Sequence, residues 1–347
     1  MANTVYENFV LENKLTDILN TKLNVKSLMT IDTDLSENAG MKKTIHKYTY
    51  TGAVESVAEN EGNTVVGEIG FTSEDYEVGV SQQTFKYTDE QFMKDPMVLD
   101  GGMAGSSTLM INDMNDKFFA ELQKATVEQA YDTFSYDVCV DAINKMNLED
   151  ESGLFLIIGN DLKAVIRKDD DFKSKELGKI IADGAIGTIS GVPVIVSKKV
   201  PANVAYLATK EAVTLYTKKE SEIEQDRDKD KRINYVYMRK VNLVALTDAT
   251  KVVALLKYIA KPVITTTSIA AGSSKALAGT CVAGATITIL KNGAPLVVSN
   301  VTQTATVTGT SFSYTIGTAT SGDIYSVKAS KTNFAASISD EALTVGA

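Results

Sequence analysis

Histidine, cysteine and tryptophan are scarce in this sequence of 347 residues, which has one His, two Cys and no Trp. His46 has no Cys, second His or acidic pair around it at ligand spacing, so it is interpreted as an ordinary strand or loop residue. Cys139 and Cys281 lie far apart in the sequence, which argues against a structural disulfide between them. These residue types therefore predict no metal site and no cofactor.

Long apolar runs are also missing. Runs such as 154–158 and 252–256 are far shorter than the roughly 20 residues needed to span a bilayer, so they predict buried strands. The first residues, MANTVYENFV, lack the basic start and apolar stretch of a secretory signal, and we expect synthesis and use in a cytosol. The net charge of −9 argues against a basic surface that holds nucleic acid, but it is compatible with a container that encloses DNA.

Three segments resemble catalytic or ligand-binding motifs, but each lacks residues that the motif requires. The run GGMAGSS at 101–107 has no Gly-Lys after it, so it predicts a helix-breaking turn and not a phosphate loop. The run GAIGTISG at 184–191 lacks the close Gly-x-Gly of a dinucleotide site. Asp226, Asp228 and Asp230 are spaced like the start of a calcium loop, but Lys231 takes the Gly position and Tyr237 that of the bidentate Glu. No catalytic, cofactor-binding or metal-binding residue is predicted.

The composition changes at Pro262. From there to the end there is no Arg and there are only seven charged residues, while β-branched residues and regular glycines favour short strands. Asn292-Gly293 is a strong hairpin signal. About seven strands, the number expected of a small sandwich, are predicted at 263–268, 285–290, 296–299, 305–308, 311–316, 325–330 and 342–345.

The phrases GTCVAGATITILKNG, SFSYTIG and GDIYSVKASKTN in this tail resemble bacterial immunoglobulin-like domains. The cysteine pair of antibody domains is absent, since Cys281 stands alone. The resemblance implies a surface module that performs no chemistry and contacts a host or environmental surface.

Before Pro262 the pattern of apolar and polar residues changes several times. Residues 5–29 are interpreted as a partly helical arm. Alternation over 41–87 predicts a long two-stranded hairpin, acidic in its middle, which is expected to lie on another surface or subunit. Apolar residues spaced by four predict a long helix over 106–131, with Ser106 or Ser107 as its N-cap. A shorter amphipathic helix follows at 136–146.

From residue 152 the pattern is α/β. Buried strands are predicted at 154–158, 194–197 and 204–207, a short helix at 162–167, and two closing strands at 234–246 and 251–257. The segment 218–232 mixes charges of both signs. It is interpreted as a solvated loop over 220–231 or, alternatively, as a contact between subunits around a symmetry axis.

The runs GLFLIIGNDLKAVIRK, GAIGTISGVPVIVSKKVP, YLATKEAVTLYTKK, EIEQDRDKD and YVYMRKVNLVALTDATKVVALL, in this order and spacing, resemble major capsid proteins of tailed bacteriophages. The resemblance covers about residues 1–260 and implies an α+β, Hong Kong 97-like capsid fold, followed by the all-β immunoglobulin-like sandwich. The domains it implies are an N-terminal arm (1–40), an extended loop (41–87), a spine helix with peripheral domain (88–151), an axial domain (152–245), a return strand of the peripheral domain (246–261) and the immunoglobulin-like domain (262–347).

The resemblance also implies a function. The chain is expected to be no enzyme and to assemble with itself into hexamers and pentamers of an icosahedral or prolate shell. The shell would enclose double-stranded DNA without sequence-specific binding and without a membrane, as a virion capsid assembled in the bacterial host cytoplasm. Portal, scaffold and decoration proteins are the other expected partners. Because the extended loop begins by residue 41, a fused scaffolding segment has no room, and a separate scaffold or a processed form is expected.

Three alternatives remain open from the sequence. An encapsulin-type nanocompartment shares the fold but stores enzymes. An adhesion or surface-layer protein would carry a secretion signal, which is absent here. A metabolic enzyme would show turnover that a single substitution abolishes.

Overall fold

The computed structural model describes residues 25–36, 40–59, 61–170, 187–272, 274–317 and 319–346. The helices are α1 (Asp89–Lys94), α2 (Val98–Leu122), α3 (Tyr136–Met146) and α4 (Asn160–Ile166), with short 3-10 helices at Val25–Leu28, Asp34–Ser36 and Ala249–Lys251. The strands up to Pro262 are β1 (Thr30–Asp32), β2 (Lys42–Thr51), β3 (Glu68–Glu77), β4 (Gly79–Thr88), β5 (Val127–Tyr131), β6 (Leu154–Ile158), β7 (Thr188–Ile189), β8 (Val192–Val196), β9 (Val204–Thr209), β10 (Val213–Asp228), β11 (Ile233–Leu246) and β12 (Val252–Lys257). Those of the tail are β13 (Val263–Ile264), β14 (Ile269–Ala270), β15 (Lys275–Thr280), β16 (Thr286–Lys291), β17 (Ala294–Pro295), β18 (Val297–Val298), β19 (Val301–Thr302), β20 (Thr306–Thr308), β21 (Ser311–Ile316), β22 (Ile324–Lys331), β23 (Phe334–Ile338) and β24 (Leu343–Gly346).

The chain divides into two compact units. The first comprises Met1–Ala125 and Ala208–Val252, and the second comprises Thr126–Leu207 and Val253–Ala347. Of the predicted N-terminal arm, residues 1–24 and 37–39 lie outside the described residues. Each unit is built around its own sheets.

The first unit is a four-stranded sheet with one long helix on it. The strand order is β1-β10-β11-β4, with β11 antiparallel to both of its neighbours. Successive side chains of a strand point to opposite faces. Val241, Leu243 and Ala245 of β11 join Ile45 and Tyr76 in one buried cluster, so the alternate residues of β11 face the other way, towards α2.

Helix α2 begins eight residues before the predicted start and ends nine before the predicted end, since it spans Val98–Leu122 and not 106–131. The predicted helix-breaking run GGMAG lies inside it. Packing explains this result, because a Cβ at Gly102 would lie 2.4 Å from the ring of Phe85 on β4, so glycine permits the close approach. The predicted end is also wrong: Val127–Tyr131 is a strand, β5, which pairs in parallel with β12.

The second unit contains a six-stranded sheet in the order β5-β12-β9-β6-β8-β7, with helices α3 and α4. Strand β6 is buried throughout, as its apolar run predicts. Helix α3 has the predicted bounds. Ser135 Oγ accepts a hydrogen bond from Val138 N at its N-terminus, and Asn147 with φ of 48° ends it in the left-handed region.

These sheets group the chain differently from the predicted domain boundaries. Strand β5 and helix α3, predicted with the spine helix, belong with β6 in the second unit. Strands β10 and β11, predicted in the domain that starts at residue 152, form the sheet under α2. The predicted return strand β12 lies between β5 and β9. The physical reason is that each strand pairs with the distant segment against which its apolar face becomes buried. The local sequence pattern does not indicate which segment that is.

The tail is an all-β sandwich. Two sheets, β13-β15-β21-β20 and β14-β24-β22-β16-β17, with β23 on β22, enclose one apolar core. The predicted turn is present, since Asn292 and Gly293 have φ of 52° and 81° and join β16 to β17. Strand β15, of sequence KALAGT, was not predicted because it has only one β-branched residue.

The core of the tail begins before the predicted boundary at Pro262. Ile259 is 2% exposed and belongs to the tail's apolar core. Its backbone N–H donates to the carbonyl of Ala335 at 3.0 Å, and Tyr258 forms a parallel bridge with the same residue. The boundary therefore lies a few residues earlier than the change in composition indicates.

Candidate assembly surfaces

The predicted hairpin is present but shorter than 41–87. Strands β2 and β3 pair in antiparallel register from Lys42 with Glu77 to Thr51 with Glu68, while β4 leaves to pair with β11. We call β2, β3 and their connection at 52–67 the hairpin, and the connection alone the tip. At about 3.3 Å per residue, the ten paired positions extend about 30 Å from base to tip.

One face of the hairpin is apolar and exposed. Tyr48 opposes Phe71 and Tyr50 opposes Ile69, and all four side chains are 67–72% exposed. The ring centroids of Tyr48 and Phe71 are 6.4 Å apart, and that of His46 lies 6.1 Å from Phe71. Side chains of this size gain free energy when a second surface removes them from water. His46 is thus an exposed strand residue beside an aromatic ring.

The tip is acidic, and hydrogen bonds hold one of its carboxylates. The pKa of Glu55 is lowered, first by the hydrogen bond from the Thr64 hydroxyl at 2.6 Å and then by those from the backbone N–H groups of Thr64 and Val65. Glu59 and Glu61 are exposed around a turn in which Glu61 N donates to Ala58 O. The tip thus presents the exposed carboxylates of Glu59 and Glu61 near the hydrogen-bonded carboxylate of Glu55.

The base of the hairpin is fastened to the first unit. Ile45 and Tyr76 are buried in the cluster that includes Val241 and Tyr216. Lys42 Nζ lies 2.6 Å from Asp75 Oδ2, and the Thr44 hydroxyl donates to Asp75 at 2.6 Å. The pKa of Asp75 is lowered by the bond from Lys42 and then by that from Thr44. Because the hairpin packs against the subunit at one end only, its outer part lies in solvent.

The charged segment predicted as a loop over 220–231 is mostly strand. Strand β10 continues to Asp228 and pairs with β11 throughout this stretch. Arg239 Nη2 lies 3.1 Å from Glu224 Oε1, and Arg227 Nη2 lies 2.5 Å from Asp89 Oδ2. The pKa of Asp89 is lowered by the hydrogen bond from Asn234 and then by Arg227. Several charges proposed for contacts between subunits are therefore paired inside the subunit.

The acidic series that resembled a calcium loop has a local role. Asp228 Oδ1 accepts hydrogen bonds from the backbone N–H groups of Asp230 and Lys231, both at 3.1 Å. This bond pattern closes the turn between β10 and β11. Of the run GAIGTISG, residues 184–186 lie outside the described residues, and Ser190 and Gly191 have positive φ in the turn between β7 and β8.

A cleft at the base of the hairpin was not foreseen from the sequence. It has a volume of about 420 Å³ and is lined by Ser36, Met41, Val80, Lys218, Lys219, Glu222, Arg239 and Val241. We call it the basic cleft, because three cationic side chains face one carboxylate. Irregular register in β10, between Thr217 and Lys219 and between Lys219 and Glu222, determines how these side chains line up with β11. A bulge of this kind has no local sequence signal here.

In the parts of the chain that the structure describes, His, Cys, Asp and Glu nowhere gather in a group of three that could hold a metal ion. Likewise, none of the described helices has the length and apolar character to cross a membrane.

The chain is similar to known capsid proteins. It is 28% identical to the major capsid protein of Staphylococcus phage phiMR11 over 251 residues, which cover 69% of this chain and 89% of the relative. No family model matches the chain.

Solved phage capsids share the fold. The capsid structure of cyanophage P-SCSP1u matches with a TM-score of 0.54 at 10% identity, over 67% of this chain and 87% of that one. The mature capsid of bacteriophage PhiM1 matches with a TM-score of 0.54 at 9% identity, over 67% and 86%. The head of Helicobacter pylori bacteriophage KHP40 matches with a TM-score of 0.53 at 12% identity, over 66% and 86%.

The α+β capsid fold implied by the ordered runs of the sequence is therefore confirmed, and the relative in Staphylococcus phage phiMR11 is a major capsid protein. The likeness in sequence and in fold supports a phage major capsid protein.

Proposed function

We propose that the chain assembles with itself into the hexamers and pentamers of an icosahedral or prolate shell that encloses double-stranded DNA. The observation that carries this proposal is the hairpin, which the subunit supports only at its base. A two-stranded sheet is marginally stable alone, and its exposed aromatic face is stabilised when a neighbouring subunit covers it. A contact that joins different surfaces of neighbouring subunits builds rings when its rotation closes.

The parts of the subunit then take the following roles. The hairpin is the extended loop that reaches over a neighbour. Helix α2 and the sheet beneath it are the spine helix and peripheral domain. The six-stranded sheet with α3 and α4 is the axial domain at the centre of each hexamer and pentamer, and residues 1–40 are an N-terminal arm.

The tail is proposed to be an immunoglobulin-like module on the outer surface, where it contacts the host or its environment. Its two sheets around one core and its Asn-Gly hairpin support this assignment. Its low charge distinguishes it from the rest of the chain.

Further partners are a portal protein, a separate scaffold and decoration proteins. The net charge of −9 supports enclosure of DNA without sequence-specific binding, because an acidic wall leaves packaged phosphate mobile. Assembly is proposed to occur in the cytoplasm of the bacterial host. A geometric role of this kind requires no enzymatic chemistry.

An encapsulin-type nanocompartment is the alternative with the same fold. The content of the natural particle separates the two. A long DNA genome supports the phage capsid, and packaged enzyme in its place would reverse the choice.

Electron microscopy of the purified protein tests the proposal. The unaltered chain is expected to form closed shells, and a variant with both Tyr48→Ser and Phe71→Ser is expected to stay folded by circular dichroism but to lose most shells. A variant with Val297→Ser and Val298→Ser removes two exposed apolar side chains from the tail and is the matched control. Shells at unchanged yield from the hairpin variant would show that the hairpin does not join subunits.

A further inference from the structure

One asparagine of the sequence is followed directly by glycine, at Asn292-Gly293. These two residues form the turn between β16 and β17, and both are exposed. In an Asn-Gly pair the backbone nitrogen of the glycine can attack the amide carbon of the asparagine side chain, because glycine has no side chain that shields this nitrogen. The pair therefore has a chemical reactivity that is separate from its role as a turn.

The attacking nitrogen is accessible in the fold. Nothing lies within 4 Å of a Cβ added at Gly293, so the space beside its backbone is open. Among the backbone hydrogen bonds of the described residues, the Gly293 N–H takes part in none. Because Gly293 is exposed, water can remove the proton that this nitrogen must lose before it attacks.

The fold also positions the amide that is attacked. The backbone N–H of Ile324 donates to Asn292 Oδ1 at 2.9 Å, and Asn292 Nδ2 donates to Asp323 Oδ1 at 3.4 Å. Attack on the amide carbon places negative charge on Oδ1, and a backbone donor directed at such an oxygen stabilises that charge. The Ile324 N–H thus lies where the charge develops, at the start of β22.

We propose that Asn292 converts itself to aspartate and isoaspartate, with water as the co-reactant. A bond forms between Gly293 N and Asn292 Cγ, and the bond between Cγ and Nδ2 breaks. The side-chain nitrogen leaves as ammonia, after it takes up a proton that replaces the one lost from Gly293 N. Water then opens the cyclic imide. Opening at one carbonyl gives aspartate, and opening at the other gives isoaspartate, in which the backbone runs through Cγ.

The conversion adds charge where the tail has none, since no charged residue occurs from Asn292 to Gly322. The new carboxylate faces Asp323, because it replaces the amide nitrogen that donates to that residue. Like charges at this separation repel. Isoaspartate instead adds a backbone atom to a turn whose two residues both have positive φ. Either product weakens the link between this turn and the start of β22.

This change needs no enzyme, and the loss of ammonia makes it one-way. The tail of an aged chain therefore differs in charge and in turn geometry from that of a newly made chain. The inference concerns the tail of a single chain and does not depend on the proposed shell function.

Mass spectrometry of the intact chain, incubated folded in water labelled with heavy oxygen, tests the proposal. Peptides that contain Asn292 are expected to gain the label as an amide becomes a carboxylate. Asn300 is the matched internal control, since it is exposed, has positive φ and lies in the same tail, but precedes Val301. The β-branched side chain of Val301 shields its nitrogen, so Asn300 is expected to convert at most about one tenth as fast. Equal conversion at the two asparagines would overturn the proposal.

The same incubation in urea shows whether the turn promotes or prevents the reaction. Conversion of Asn292 in the folded chain is expected to be at least as fast as in the unfolded chain, because the Ile324 N–H is directed at the amide only in the fold. An Asn292 that stays intact in the folded chain while it converts in urea would show that the turn protects it, and the proposal would be wrong.

A variant with Gly293→Asn identifies the attacking atom. Asparagine tolerates positive φ, so the turn is expected to form and the circular dichroism to stay unchanged. The added side chain shields the backbone nitrogen and is expected to slow conversion of Asn292 by about fivefold or more. An unchanged rate would mean that water attacks the amide directly, which contradicts the proposal.

The product can be supplied directly by Asn292→Asp. This variant is expected to shift the unfolding of the tail to lower urea concentration, and Asp323→Asn in the same chain is expected to cancel the shift by removing the repelling charge. Asp323→Asn alone is the control, because it breaks the pair with Lys291 without adding a charge. A double variant as unstable as Asn292→Asp would refute the predicted repulsion.

Discussion

Gly102 of helix α2 lies directly against the ring of Phe85 of strand β4, so that a methyl group added at Gly102 would lie 2.4 Å from Phe85 Cε2. Glycine costs a helix interior about 1 kcal/mol relative to alanine. In α2 this cost is offset, because the missing side chain allows the helix to pack closer to the sheet. The neighbouring Gly105 has no atom within 4 Å of its added Cβ and gains no such contact.

The two glycines should therefore respond in opposite ways to alanine. Gly105→Ala is expected to stabilise the protein by about 1 kcal/mol, the full gain in helix propensity. Gly102→Ala is expected to destabilise it by about 1 kcal/mol, because overpacking against Phe85 outweighs the same gain. Urea unfolding measures both changes. Equal stabilisation by the two substitutions would show that Phe85 moves aside without cost.

Lys240 provides a second prediction, because its side chain is only 6% exposed on the helix-facing side of β11. Burial lowers the pKa of Lys240; Glu220 opposes this effect, while Lys26 and Lys117 add to it. Lys240→Met removes a poorly solvated charge and keeps the length of the side chain. We expect it to stabilise the protein by about 1 kcal/mol at pH 7.

The pH dependence follows from the sign of that shift. Because the folded chain holds this proton less tightly than the unfolded chain, stability rises with pH between the lowered pKa and the ordinary lysine value of 10.5. The difference between the unaltered protein and Lys240→Met should therefore narrow as pH rises through that interval. Lys229→Met, at an exposed position, is the control. It should change stability by less than about 0.5 kcal/mol both at pH 7 and at pH values approaching 10.5. A constant difference at all pH values would show that folding does not lower the pKa of Lys240.

The sequence predicts those elements whose signals are local. Helix α3 has an N-cap at Ser135 and a left-handed C-cap at Asn147, and its bounds match the prediction. Strand β6 is an uninterrupted apolar run, and strand β21 alternates Phe312, Tyr314 and Ile316. Both begin and end where periodicity places them.

Elements fixed by distant partners could not be predicted in this way. The outer half of β10 is too polar to read as a strand, and it forms one because β11 pairs with it as far as Asp228. The basic cleft depends on register irregularities at Lys219, which no local pattern records. Alternation in the sequence predicts which residues of the hairpin share a face. The charged side chains at its base come together only in the tertiary structure, so the sequence does not predict their cluster.

Gly279 of strand β15 supports a third prediction. A Cβ at this position would lie 2.0 Å from the carbonyl oxygen of Val263, which pairs with the end of β15 as strand β13. Backbone cannot move as a side chain can, so Gly279→Ala is expected to separate β13 from β15 and to destabilise the tail by about 2 kcal/mol. Hydrogen exchange at residues 263–266 measures the separation. Gly317→Ala, where the added Cβ meets nothing within 4 Å, is the matched control, and equal exchange in the two variants would refute the effect.

The last prediction concerns removal of the tail. The capsid-like elements are complete before Pro262, so residues 1–261 alone are expected to assemble into shells. The cut exposes Ile259, which the tail otherwise buries, and Tyr258, which bridges to Ala335. Exposed apolar surface promotes aggregation. We therefore expect that Ile259→Ser raises the soluble yield of the truncated chain several-fold in sedimentation, while electron microscopy shows the same shells.

In the intact chain the same substitution should instead destabilise the tail, by about 3 kcal/mol, because it leaves a cavity and a hydroxyl in the core. If the truncated chain stays monomeric with either residue at 259 while the intact chain makes shells, the tail contributes a contact that holds the shell together.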